Sequence, residues 1–197
     1  MAITFNPALT TQPQNSFALQ STGYVQGAFM DDPSSSMWLQ SGLLDSAISV
    51  PVWPGMAISE YVPTADQNAL GSTIKIATAA TDITGFNTGN QSYNAIITPG
   101  NNVPQLSPLQ TVQYFRFGSN ARLAVKCSSA LVTAAEAGLV NQQVQWDYTN
   151  QELIPYTTGT ALPVKILSLN SNSKVVDYNS GTGAVTWSVG PAAIIQL

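Results

Sequence analysis

The chain has 197 residues, 44% of them hydrophobic and only 8% charged, with a formal net charge of -4. Six Lys and Arg against ten Asp and Glu leave too little positive charge for binding driven by phosphate neutralisation, which excludes nucleic acid as a partner. Histidine is absent and Cys127 is the single cysteine, so Ser-His and Cys-His catalysis, an internal disulfide and a Cys/His zinc site are excluded, and no metal or other cofactor is expected.

Residues 1–21 carry no charge and are rich in Thr, Gln, Asn and Pro, which reads as an extended N-terminal arm; residues 22–197 read as a single β-sandwich domain. From Gly23 onward β-favouring stretches recur between turn signals: Tyr24 to Phe29, Ile48 to Trp53, Thr73 to Thr78, Tyr93 to Ile97 and Val112 to Phe117. They continue with Leu123 to Cys127, Val144 to Tyr148, Leu162 to Leu169, Val175 to Tyr178 and Ala184 to Val189. Many short strands without helix-length patterns between them predict an all-β sandwich or barrel. Short helical pieces are expected at Met37 to Leu44, capped by Ser34 to Ser36, and at Ala130 to Val140. Pro99 to Pro108 reads as a long loop.

Three hairpins are legible. Gly118-Ser119-Asn120 joins Thr111 to Phe117 with Ala121 to Cys127, a register that opposes Arg116 to Arg122. Alternation then puts Val112, Tyr114, Arg116, Arg122, Ala124 and Lys126 on one face, and Phe115, Phe117, Ala121, Leu123, Val125 and Cys127 on the core face. Val144, Trp146 and Tyr148 alternate with polar residues before a turn at Asn150-Gln151, and Pro155 ends the returning strand or marks an edge. Val176 and Tyr178 meet Val185, Trp187 and Val189 across Asn179 to Gly183.

Little in the chain suggests reaction chemistry. Neither a phosphate-binding loop nor a dinucleotide turn occurs. Asp31 and Asp32 form a carboxylate pair of the kind used on polysaccharide, but neighbouring residues ahead of Pro33 point apart and fit a solvated turn. Asp177 to Gly181 resembles a calcium loop only faintly, without the closing bidentate Glu. Three of the six basic residues, Arg116, Arg122 and Lys126, fall on one face, and opposed like charges need compensation. Glu60, Asp147 or Glu152 within the chain, or an acidic stripe on a partner, would supply it. Tyr114 shares that face, and Trp38 and Trp53, in irregular sequence, are candidate interface anchors; Trp146 and Trp187 fall in core registers.

Ser, Thr, Asn and Gln make up 68 residues, so the surface is largely neutral and does little to keep copies apart. The start, Met1 to Pro7, lacks the basic and apolar stretches of a signal peptide, and no run reaches about 18 apolar residues, so synthesis in a cytoplasm and no membrane contact are expected.

Tyr24-Val25-Gln26-Gly27, Asp32-Pro33, Leu43 to Ile58 around Pro51-Val52-Trp53-Pro54-Gly55, Phe115 to Lys126 and Val144 to Tyr156 together resemble the cement, or decoration, proteins of tailed, often short-tailed, bacteriophages. The resemblance covers roughly residues 1–156. It implies a jelly-roll-like antiparallel β-sandwich, a structural virion protein without enzymatic activity. Such a subunit binds the outer surface of a capsid built from a major capsid protein of HK97-type fold and cements neighbouring subunits. Its candidate capsid or subunit interface is Arg116, Arg122, Lys126, Tyr114, Trp38 and Trp53. A homo-oligomer is expected, a dimer in preference to a trimer. The rival functions are a receptor-binding or tail protein that recognises host surface glycan, and a carboxylate-based polysaccharide hydrolase.

Overall fold

The computed structural model describes residues 22–30, 37–61, 72–89, 103–138 and 143–197. The expected arm, the Tyr93 to Ile97 strand and the Asp31-Asp32 pair lie outside them. The described strands are β1 (Phe29–Met30), β2 (Gln40–Leu44), β3 (Ala57–Tyr61), β4 (Ser72–Ile76), β5 (Gly85–Asn87) and β6 (Thr111–Arg116). After β7 (Arg122–Lys126) comes the helix α1 (Ser129–Glu136), followed by β8 (Val144–Asp147), β9 (Glu152–Pro155), β10 (Lys165–Asn179) and β11 (Ala184–Gln196). The fold is all-β, as the spacing of strands and turns predicts.

The strands fall into three groups. A closed barrel runs β2-β4-β3-β5-β6, a four-stranded sheet runs β1-β7-β11-β10, and β8 pairs with β9. Every pairing of named strands is antiparallel except β2 with β4, which is parallel.

Period-two alternation explains the two cores. Leu44, Ile58, Ile74, Val112 and Tyr114 fill the barrel and are fully buried. Gly42 makes room for one of them, because a Cβ there would come 2.7 Å from Ile74 Cγ1. The alternate residues Ala57, Phe86 and Phe115 face out of the barrel, where they join Leu123, Val125, Cys127, Ala193 and Ile195 from the sheet. Trp146 and Leu153 of the β8–β9 hairpin and Leu131 of α1 close this second core. Phe86 meets Trp146 edge-on at 4.8 Å and Phe115 stacks on Phe29 at 4.9 Å. Full burial of each large aliphatic contributes roughly 1.5–3 kcal/mol.

Several expectations hold in detail. The β8–β9 hairpin turns at Asn150-Gln151 and ends at Pro155. In β10–β11, Val176 opposes Trp187 and Tyr178 opposes Val185. The stretches expected at Leu162 to Leu169 and Val175 to Tyr178 fuse into one 15-residue strand. Its register against β11 shifts between Ile166 and Ser168 and between Asn170 and Ser173. The second helical piece forms, with the Ser128 side chain accepting from the Leu131 N–H at 3.2 Å.

Others are corrected. Met37 to Leu44 is not helical: Gln40–Leu44 forms β2, because Gly42 and Leu44 turn into the barrel while Ser41 and Leu43 turn out. Ile48 to Trp53 contributes only a single bridge, Val52 to Leu106. The expected hairpin of Thr111 to Phe117 with Ala121 to Cys127 does not form. Its first strand pairs with β2 and β5 and its second with β1 and β11, so the connection carries the chain from barrel to sheet. Asn120, at φ 58, and Gly118, at φ 83, make the sharp corner. On the expected core face Phe115, Ala121, Leu123, Val125 and Cys127 are buried and Phe117 is half-buried, but the opposite face is not the open one expected: Val112 and Tyr114, in the barrel core, and Ala124 are fully buried as well.

Candidate functional site

Splitting β6 from β7 separates the two arginines. Arg116 ends β6 at one mouth of the barrel, where β3 brings Glu60. Its guanidinium grips that carboxylate with two nitrogens: Nε donates to Glu60 Oε2 at 2.7 Å and Nη2 donates to Oε1. Ser72 Oγ, from β4, also donates to Glu60. These bonds, led by that from Arg116, hold the Glu60 carboxyl below its ordinary value against the opposing effect of burial. Arg116 is compensated by Glu60, one of the three internal carboxylates considered above. Beneath the pair Tyr114 is fully enclosed, its hydroxyl beside Glu60 and Ser72 without a well-formed bond to either, and burial raises its pKa. Its place is the barrel core, not an exposed interface.

Lys126 Nζ donates to Asp177 Oδ1 at 2.7 Å across the sheet, over an open hollow of about 280 Å³ lined also by Glu152, Ser188 and Cys127. Burial raises the pKa of Glu152, whereas Asp177 is lowered because the bonds from Lys126 and Ser188 outweigh its own burial. Cys127 lies at the back of the hollow, 1% exposed, and burial pushes its thiol up to about 12. It is a packing residue, as its place in the strand predicts. Arg122 has no carboxylate within 4.0 Å among the described residues.

The tryptophans separate as sharply. Trp53 is 4% exposed and packs at 5.2 Å against Tyr178, so it anchors the core and not an interface. Trp38 is 62% exposed and Met37 beside it 84%, the largest apolar exposure among the described residues. Gln40 pairs with Tyr114, so both stand at the barrel mouth that Arg116 closes.

Two of the segments that carry the family resemblance meet inside the protein. Gly27, at φ 76, lies so close to Pro54 that a Cβ would overlap the ring, and Gln26 lies against Gly55, at φ 81. Gln26 Oε1 accepts from the Val176 N–H at 2.8 Å. Asn87 closes the loop from within: its Nδ2 donates to the Trp53 carbonyl at 2.8 Å and its Oδ1 accepts from the Met56 N–H at 2.7 Å. Sequence reasoning missed Asn87, and also Gln151, whose Oε1 accepts from Trp146 Nε1 at 3.2 Å and from the Ala57 N–H at 3.3 Å. A lone amide in a turn carries no signal that distinguishes a buried clamp from a solvated loop.

Among the described residues no three His, Cys, Asp or Glu side chains come together to hold a metal ion. No helix among them is long and apolar enough to cross a membrane. Compared with protein-family models, curated proteins and solved structures, the chain matches none.

Proposed function

We propose that the protein is a structural subunit of a tailed-phage virion that binds the outside of the capsid and cements neighbouring capsid subunits. Its activity is binding alone, without catalysis or cofactor, and its partner is a major capsid protein of HK97-type fold. The observation that carries the reading is the exposed Met37–Trp38 pair at the barrel mouth. Large apolar and aromatic side chains are costly to leave in water, and Trp, Met and Arg are the residues enriched at protein interfaces. They are set on a two-core β body whose neutral polar surface repels further copies little. A jelly-roll-like lineage and a two-fold dimer, in preference to a trimer, belong to the same proposal. Closed two-fold pairing presents one patch to capsid subunits on both sides, and repetition around a shell multiplies weak contacts.

Trp38 also favours a second reading, recognition of host surface glycan by a receptor-binding or tail protein, because an exposed indole stacks on a sugar face. One substitution separates the two. In co-sedimentation with capsids made without this protein, Trp38→Ala is expected to weaken binding while a glycan array stays blank for both proteins. An array signal lost on Trp38→Ala, with no capsid binding by the wild type, would replace the first reading with the second.

A further inference from the structure

The hollow beside Lys126 is walled by four strands. Lys126 comes from the end of β7, Glu152 from the start of β9, Asp177 from β10, and Ser188, Val189 and Pro191 from β11. Its volume of about 280 Å³ lies just below the roughly 300–1,000 Å³ of small-molecule clefts, so it fits one long side chain better than a cofactor or substrate. Val189, 45% exposed, and Pro191 line it with apolar surface on which the methylene stem of such a side chain can lie.

The charges of the hollow do not balance. Lys126 Nζ is taken by Asp177 Oδ1 at 2.7 Å and by the Val176 carbonyl at 3.4 Å. The Glu152 carboxylate accepts no hydrogen bond among the described residues, and no Lys or Arg comes within 4.0 Å of it. All six Lys and Arg are among the described residues, so no other basic side chain of the chain can pair with it. Burial raises the Glu152 pKa, and Asp147 and Asp177 add to that effect against the opposing Lys126. The folded value therefore lies above the ordinary 4.5, and the ionised carboxylate weakens the fold where it stands.

We propose that this hollow is a binding site for one basic side chain, arginine or lysine, of the partner protein, with its head group against Glu152 and Asp177 and its stem along Val189. This rests on the capsid reading for the partner's identity, but not for its chemistry. Two carboxylates share one internal cation, so the hollow keeps a negative excess, and charge complementarity to a guanidinium or ammonium follows. A carboxylate that weakens the fold and has no internal partner is the trade of stability for function expected of a binding group.

The test titrates N-acetyl-argininamide, and its uncharged isostere N-acetyl-citrullinamide, into wild type and Glu152→Gln, with backbone amide shifts as readout. Shifts from the arginine compound centred on residues 126, 152, 177 and 189 are expected, with none from the citrulline compound. Binding by Glu152→Gln should be roughly tenfold weaker, the effect of removing one hydrogen bond to a charged group. Equal shifts with citrulline, unchanged binding by the variant, shifts elsewhere, or none at all, as when the chain's own α-amino group fills the hollow, would overturn the proposal. Melting at pH 7 adds a readout that a structural role cannot imitate. Glu152→Gln removes a charge that weakens the fold, so its melting temperature is expected to rise while its capsid co-sedimentation weakens roughly tenfold. A lower melting temperature would make Glu152 a structural residue and sink the proposal. Equal capsid binding by variant and wild type would sink the hollow and spare the capsid reading. A wild type that takes up the arginine compound but never binds capsids would do the reverse.

Discussion

Removing Arg116 tests the barrel-mouth geometry directly. In Arg116→Gln the Glu60 carboxylate keeps its bond from Ser72 but loses both guanidinium bonds. The arginine side chain is 50% exposed and that of Glu60 16%, so solvent screening discounts most of the Coulombic gain. Exposed pairs contribute about 0.2–1 kcal/mol, and two-pronged geometry with one sheltered partner puts this one near the top, about 1 kcal/mol. For a domain of this size that lowers the melting temperature by about 2–4 °C. The folded pKa of Glu60 lies below its ordinary 4.5, so the contribution is fully present above that value and is lost as pH falls through the folded value. Calorimetry of wild type, Arg116→Gln, Glu60→Gln and the double variant should give a positive coupling at pH 7, smaller in 1 M salt and smaller still at pH 3. Zero coupling at pH 7 would mean that Glu60 does not compensate Arg116.

Three further outcomes follow from the interior. Gly27→Ala is expected to lose about 2–3 kcal/mol by chemical denaturation, because φ is 76 and a Cβ overlaps Pro54. Asn87→Ala strands the Met56 N–H and the Trp53 carbonyl and should lower the denaturation midpoint by an amount worth about 2–4 kcal/mol. Cys127, its thiol pushed up to about 12, should leave a disulfide reagent unreacted at pH 8 in the folded protein and react at once in denaturant.

Local signals were readable where local chemistry decides. The β8–β9 and β10–β11 hairpins follow from alternation flanking a turn, and α1 follows from a serine cap ahead of good helix formers. The Phe117 to Ala121 corner has the same local signature as a hairpin, and only the partners chosen by β6 and β7, far away in sequence, decide otherwise. Alternation found the face of β6 and β7 that packs in the second core, because the period of two survives a change of partner, but not the burial of the opposite face, where Val112 and Tyr114 enter the barrel and Ala124 is enclosed. The serines ahead of Met37 suggested a helix cap, but barrel closure recruits Gln40–Leu44 as a strand. β3 and β5 were missed because β3 reads as polar at its end and β5 has only three residues. Of the candidate interface, Arg116 and Lys126 are compensated within the chain and Tyr114 and Trp53 are buried. Arg122 and Trp38 stay open to solvent; sequence periodicity cannot rank exposure at the ends of elements.

The central claim is tested most directly by imaging, at side-chain resolution, the virion encoded with this chain. The account predicts density for the barrel and four-stranded sheet on the outer capsid surface, bridging adjacent capsid subunits, with Met37 and Trp38 in the contact. Density for the chain in the tail or inside the capsid, or its absence from the particle, would contradict it.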